Sequence, residues 1–213
     1  MGYDINILHK DMTDQEIVDV GRDCMLDEAY AVQNTAYGLG ESFVQAVKSI
    51  FACKGKTVVT GVGKSGHIGR KIAATLASTG TPAFFVNPLD AFHGDLGMIQ
   101  SDDVVMAISY SGSTEELLRL LPLLRERGIH IIGISRDDQS SLAKYSSCHI
   151  SIPVDHEGDP LGLAPTSSTT ATLALGDAIA CALVQLRGFT RDDFAKYHPG
   201  GTLGYMLNRS LSS

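Results

Sequence analysis

The chain has 213 residues, 44% hydrophobic and 19% charged, with a formal net charge of −7. That length suits one domain with a substantial core, and an acidic balance without a basic tract speaks against nucleic acid as a partner. No apolar run is expected to reach the roughly 20 residues of a membrane span, no signal peptide opens the chain, and the scattered Cys24, Cys53, Cys148 and Cys181 read as reduced thiols of a cytoplasmic protein.

Residues 1–13 read as a loose arm, within an N-terminal helical arm 1–53 that precedes a core of about 40–208. Leu39, Phe43, Val47 and Ile50 mark a helix ending near Cys53. "TVVTGV" is a buried strand, and Ile68, Ile72 and Leu76 then share one helical face. "PAFFV" and "DVVMAIS" are the second and third strands. Leu117, Leu120, Leu121 and Leu124 stripe the next helix, where Pro122 predicts a kink. "HIIGIS" and "HISIPV" complete five strands. "TSSTTATLALGDAIACALVQLRG" reads as one long buried helix, N-capped by Thr166 or Ser167 and stopped at Gly188. Strands apolar on consecutive positions are covered on both faces, so the expected fold is α/β, a three-layer α-β-α sandwich around a five-stranded parallel sheet. Ligands of such sheets bind beyond the carboxyl ends of the strands.

The turn after the first strand carries Gly61, Gly63 and Gly66 as G-x-G-x-x-G, and Gly63-Lys64-Ser65 imitates the end of a Walker A loop. The Walker spacing fails, because it needs glycine where Val58 stands. The dinucleotide reading lacks an acidic residue closing the second strand, which ends at Asn87-Pro88. A tight turn with no ligand is the bland alternative. After the third strand, Ser109, Ser111, Ser113 and Thr114 crowd a turn around Gly112 just before a helix. One hydroxyl would suffice for a cap, whereas four make a cradle for one phosphate monoester. Two such turns on one sheet suggest a small sugar phosphate, with no metal or other cofactor. The seven histidines form no metal-binding pattern with cysteine, and zinc at His93 and His198 would inhibit rather than assist.

"GVGKSGHIGRKIAATLASTGTPAFFV", "HGDLGMI", "ISYSGSTEE", "PLGLAPTSSTTATLALGDA" and "FAKYHPGGTLG" resemble the sugar isomerase (SIS) domain of D-arabinose 5-phosphate isomerases, from about Cys53 to Leu207. The resemblance implies a flavodoxin-like SIS fold. It also implies interconversion of D-ribulose 5-phosphate and D-arabinose 5-phosphate on the route to 3-deoxy-D-manno-octulosonate, a sugar of lipopolysaccharide and capsule. Many family members continue into paired CBS domains, and this chain would resemble the short forms without them. The family's "VHPGEA" is "VNPLDA" here, and its "SNSGE" is "SYSGS", which introduces Asn87, Asp90, Tyr110 and Ser113.

Aldose–ketose isomerisation moves a proton between C1 and C2 through a cis-enediol, so a base and an electrophile suffice. The resemblance makes Glu157 the base; on the residues alone it could be a solvated loop acid. His198 in "YHPGG" is implied in ring opening or proton shuttling, in its own or a neighbouring subunit's site, against a plain surface role. His93 and Glu116 match family positions, although a turn histidine and a helix-dipole acid would look the same. Lys64 could meet the enediolate or lie exposed. Gly63, Ser65, Ser109, Tyr110, Ser111 and Thr114 are assigned to substrate and phosphate, with Thr166 and Ser167 facing the sugar. The apolar stretch Leu173 to Leu186 suggests subunit packing, and the resemblance implies a homotetramer, a dimer of dimers with composite sites. The rival reading is a non-catalytic phosphosugar sensor, which would need the cradle but neither Glu157 nor His198; another ketose phosphate is a third.

Overall fold

The computed structural model describes residues 11–199. Five parallel strands, β1 (Thr57–Gly61), β2 (Ala83–Val86), β3 (Val104–Ile108), β4 (His130–Ser135) and β5 (Cys148–Ser151), lie in the order β2-β1-β3-β4-β5. Thr57 pairs with Ala83 on one side and with Val104 on the other. The chain therefore winds outward from β1 to β2, then returns past β1 and continues from β3 to β5. The crevice between the carboxyl ends of β1 and β3 is the switch point where such sheets bind ligands.

Strand alternation divides the core. Val104, Met106 and Ile108 of β3 face one way with Val59 and Ile132, while Val105 and Ala107 face the other with Val58 and Ile131. The first face is covered by α2 (Glu41–Ala52), α3 (Gly63–Ser78) and α7 (Ser167–Arg187), and the second by α5 (Glu115–Glu126) and the short α6 (Ser141–Tyr145). Leu117, Leu120, Leu121 and Leu124 are all fully buried, as their spacing predicted. Each such side chain stabilises the fold by roughly 1.5–3 kcal/mol. Gly188 closes α7 in the left-handed conformation, as expected of a terminal glycine.

Pro122 lies inside α5, which runs from Glu115 to Glu126. Other expectations are corrected. The N-terminal arm is two helices, α1 (Asp14–Tyr37) and α2, and Thr13 is fixed by a capping box with Glu16 rather than loose. Residues 1–10 of the expected loose arm lie outside the described residues. The connection from β2 to β3 carries α4 (Pro88–Ala91) and a 3-10 turn at Asp95–Met98, and a helix α8 (Arg191–Tyr197) follows α7. The expectation about apolar runs also fails: α7, with 21 residues, is long and apolar enough to cross a membrane. It instead packs along α1, α2 and α3, burying Ala171, Leu175, Ile179 and Leu183.

Candidate active site

Gly61 ends β1 and the chain turns at once into α3. A side chain at Gly66 would stand 2.7 Å from the Gly61 carbonyl oxygen, so only glycine lets the helix start this close to the strand. Lys64 and Ser65 in its first turn then border a pocket of about 290 Å³. Across it, β3 delivers Ser109, Tyr110, Ser111 and Thr114, and the third side is Pro165, Ser168, Thr169 and Thr172 at the start of α7. Six of the residues assigned from the sequence thus meet in one cavity at the switch point.

The three helix ends around this cavity share one feature. In α1, α4, α6 and α8 a side chain caps the first turn. In α3, α5 and α7 the N-cap side chain makes no capping bond, and α2, which starts after Gly40 away from the cavity, is likewise uncapped. Thr114 is the N-cap of α5, yet its hydroxyl bonds Ser109 Oγ at 2.8 Å rather than the helix. Ser111 Oγ accepts from the Ser113 hydroxyl at 3.1 Å and from the Ser113 N–H. The cluster is therefore wired together as a unit, and it leaves the first-turn amides of α3 and α5 open. Helix N-termini with open amides attract anions, a phosphate above all.

The third open terminus is taken from within. Glu157 Oε2 accepts from the Thr166 N–H at 2.8 Å and the Ser168 N–H at 3.1 Å, seating the carboxylate at the start of α7. The loop that carries it is tied down twice. Tyr110 donates its hydroxyl to the Val154 carbonyl at 3.1 Å, and His156 pairs with Asp27 of α1 at 3.1 Å. Burial pushes the Tyr110 phenol above its usual range, and the Glu157 charge pushes it further in the same direction.

The other assignments fare differently. Thr166 and Ser167 do not face the cavity: Thr166 Oγ1 accepts from the Gly158 N–H, and Ser167 is fully buried. The helix begins at Ser167, so the face toward the pocket is Ser168, Thr169 and Thr172, one residue out of phase with the sequence reading. Gly63 borders a neighbouring hollow with His67, Arg70 and Asn87 instead. Asn87 caps α4 by accepting from the Leu89 N–H at 3.0 Å. Glu116 is half-buried in the first turn of α5, and His93 is exposed after α4; neither borders the cavity, and Glu157 meets its wall only through the Ser168 N–H. Among the described residues no three His, Cys, Asp or Glu side chains converge as metal ligands.

His198 is the clearest departure. Its ring stacks on Phe194, with centroids 3.9 Å apart, and its Nδ1 lies 2.9 Å from the Phe194 carbonyl oxygen. Tyr197 beside it borders a hollow with Lys56, Gly80, Pro82 and Ala83, at the amino ends of β1 and β2. Glu157 sits at one end of α7 and His198 beyond the other; 21 residues of helix separate them by about 31 Å. One chain does not bring the two together. Residues 200–204 of the "HPGGTLG" motif lie outside the described residues.

The doubly wound sheet and the hydroxyl cradle at its switch point define an α/β protein with a candidate anion site. The SIS domain model matches residues 50–182, and the chain belongs to that family. It is 55% identical over 180 residues to arabinose 5-phosphate isomerase KdsD of Pseudomonas aeruginosa, covering 84% of this chain and 55% of that protein. It is 48% identical over 193 residues to arabinose 5-phosphate isomerase GutQ of Escherichia coli O6:H1, covering 91% and 60%. The chain thus spans little more than half the length of the curated relatives it matches. Among solved structures it superimposes on the E. coli CFT073 protein c3406 in complex with arabinose 5-phosphate, with a TM-score of 0.86, 47% identity, and coverage of 88% of this chain and 100% of that one.

Proposed function

We propose that this chain is an aldose–ketose isomerase that interconverts D-ribulose 5-phosphate and D-arabinose 5-phosphate through a cis-enediol. The observation that carries this reading is the pair of uncapped helix ends, α3 and α5, opening onto one serine-lined cavity, with the Glu157 carboxylate bonded to the backbone of Ser168, which borders that cavity. The substrate phosphate lies against Ser109, Ser111 and Thr114 and the open amides. Glu157 takes the proton from one carbon and returns it to the next, while Lys64 faces the developing enediolate oxygen. Similarity to the arabinose 5-phosphate isomerases KdsD and GutQ supports the pentose phosphate as substrate. The reading places the reaction in the cytoplasm, on the route to 3-deoxy-D-manno-octulosonate for lipopolysaccharide or capsule.

His198, His93 and Glu116 act from outside the cavity of their own chain, and the separation of His198 from Glu157 supports a site completed by a second subunit. The apolar side chains Ile17, Val18, Met25 and Leu26 of α1 are more than half exposed and are suited to that association as a homotetramer. A coupled assay across pentose, hexose and heptose phosphates tests the reading. Turnover of ribulose 5-phosphate above all others supports it, a preference for another ketose phosphate moves the assignment within the class, and binding without turnover points to a sensor.

A further inference from the structure

Behind the cradle, on the side away from the cavity, lies a wired cluster that the proposed chemistry does not use. His149 of β5 holds Asp138 Oδ1 with Nδ1 at 2.8 Å and Ser135 Oγ with Nε2 at 2.8 Å. Ser135 Oγ lies 3.0 Å from Ser140 Oγ, which in turn accepts from the Ala143 N–H at the start of α6. With the Nδ1 proton directed at the carboxylate, Nε2 is the acceptor for the Ser135 hydroxyl, and Ser135 accepts from Ser140. The order of groups is that of a hydrolytic Asp–His–Ser triad. Ser135 is fully buried, however, so it cannot reach a substrate, and the arrangement must serve something else.

What it touches is the cradle turn. Gly112, at φ 65°, has no room for a side chain: a Cβ there would stand 2.4 Å from Ser140 Cβ and 3.2 Å from Ser135 Oγ. The turn is also bonded to the same segment, since the Leu142 N–H donates to the Gly112 carbonyl at 2.9 Å and the Arg136 N–H to the Tyr110 carbonyl at 2.9 Å. Ser111, Ser113 and Thr114 thus rest on a wall whose inner layer is the Ser135–Ser140 pair. His149, whose side chain is only 10% exposed, sets that pair from behind.

We propose that His149 is a positioning residue for the phosphate cradle, acting through Ser135 and Ser140 on the Ser111–Gly112 turn. This rests on the cradle reading above. A brace of the phosphate site governs binding more than the chemical step, so its loss raises KM and weakens inorganic phosphate while sparing kcat.

The test measures phosphate affinity by calorimetry, and KM and kcat for ribulose 5-phosphate, on the full chain. His149→Phe keeps a flat ring but removes both hydrogen bonds, and is expected to weaken phosphate and raise KM about tenfold, the scale of a hydrogen bond to a polar group. kcat is expected to change by less than about threefold. His149→Gln, which can still reach Ser135, should recover a substantial part of the affinity. Should His149→Phe fail to fold, Asp138→Ala at an exposed position frees Nδ1 and should loosen phosphate binding in the same direction, by a smaller factor. Unchanged phosphate affinity in the folded variant, or a loss confined to kcat, overturns the inference. The Ser109→Ala/Ser111→Ala variant serves as control. If it too leaves phosphate binding unchanged, the cradle reading fails and this inference with it; if it weakens binding while the His149 variants do not, only this inference fails.

Discussion

Glu157 and Thr166 are held together by a 2.8 Å hydrogen bond in which the backbone N–H at the start of α7 donates to the carboxylate. The Ser168 N–H engages the same oxygen, Oε2, whereas Oε1 makes no hydrogen bond to a described residue. One oxygen is thus an anchor, and the other is available for a proton. Glu157→Gln separates these functions, because an amide oxygen can still accept from both N–H groups but cannot act as a base. Turnover is expected to fall by at least ~100-fold, the low end for acid–base catalysis, with substrate affinity retained. Solvent-deuterium exchange into substrate at the wild-type rate would exclude Glu157 as the base.

The cradle itself gives the second prediction. Ser109 bonds Thr114 and Ser111 bonds Ser113, so the two serines organise all four hydroxyls. Replacing both with alanine should weaken inorganic phosphate and substrate by roughly 1.5–3 kcal/mol for each hydrogen bond lost to a charged group. The core does not depend on them, and the melting temperature should shift little. Calorimetry showing wild-type phosphate affinity would move the site elsewhere.

Tyr110 links the cradle to the Glu157 loop, and its phenol is raised by burial and by the Glu157 charge. For an acid raised in the folded state, the neutral form is the stabilising one. Its contribution is fully present below the ordinary tyrosine pKa of about 10 and is lost as pH rises through the higher folded value. Tyr110→Phe removes this dependence. It also strands the Val154 carbonyl, at a cost of about 1 kcal/mol near neutral pH. Denaturant midpoints at pH 8 and just above pH 10 should therefore fall more for wild type than for the variant. Parallel slopes would show that Tyr110 does not titrate against folding.

The sheet was legible because its signal is local: runs such as "DVVMAIS" are apolar on both faces, and the leucine stripe of α5 repeats at helical spacing. The cradle was legible because one strand end carries more hydroxyls than a cap requires. The α7 hydroxyls were misread by one residue, since either Thr166 or Ser167 could cap the helix and the sequence does not mark where it starts. With Ser167 as the first helical residue, helical spacing alone selects Ser168 and Thr172. The Asp138–His149–Ser135 cluster has no linear signature at all, because β4, the following loop and β5 meet only in the sheet. Nor could the sequence say that Glu157 would itself cap α7, as the bond spans nine residues of irregular loop.

The position of His198 gives the last prediction. It lies beyond the far end of α7, about 31 Å of helix from Glu157, so if both residues serve one reaction they come from different chains. Each variant alone, Glu157→Gln and His198→Ala, should be nearly inactive. After reversible dissociation and mixing, some interfaces will pair the intact Glu157 of one subunit with the intact His198 of another, and a fraction of activity should return. The fraction should rise toward equal proportions of the two variants and vanish in either alone. Recovery requires association, so dilution that yields monomers should abolish activity in the wild type as well. If hybrids form, as judged by native mass, and remain inactive at every ratio, His198 does not complete a neighbour's site. The isomerase reading would then rest on Glu157 and the cradle of a single chain.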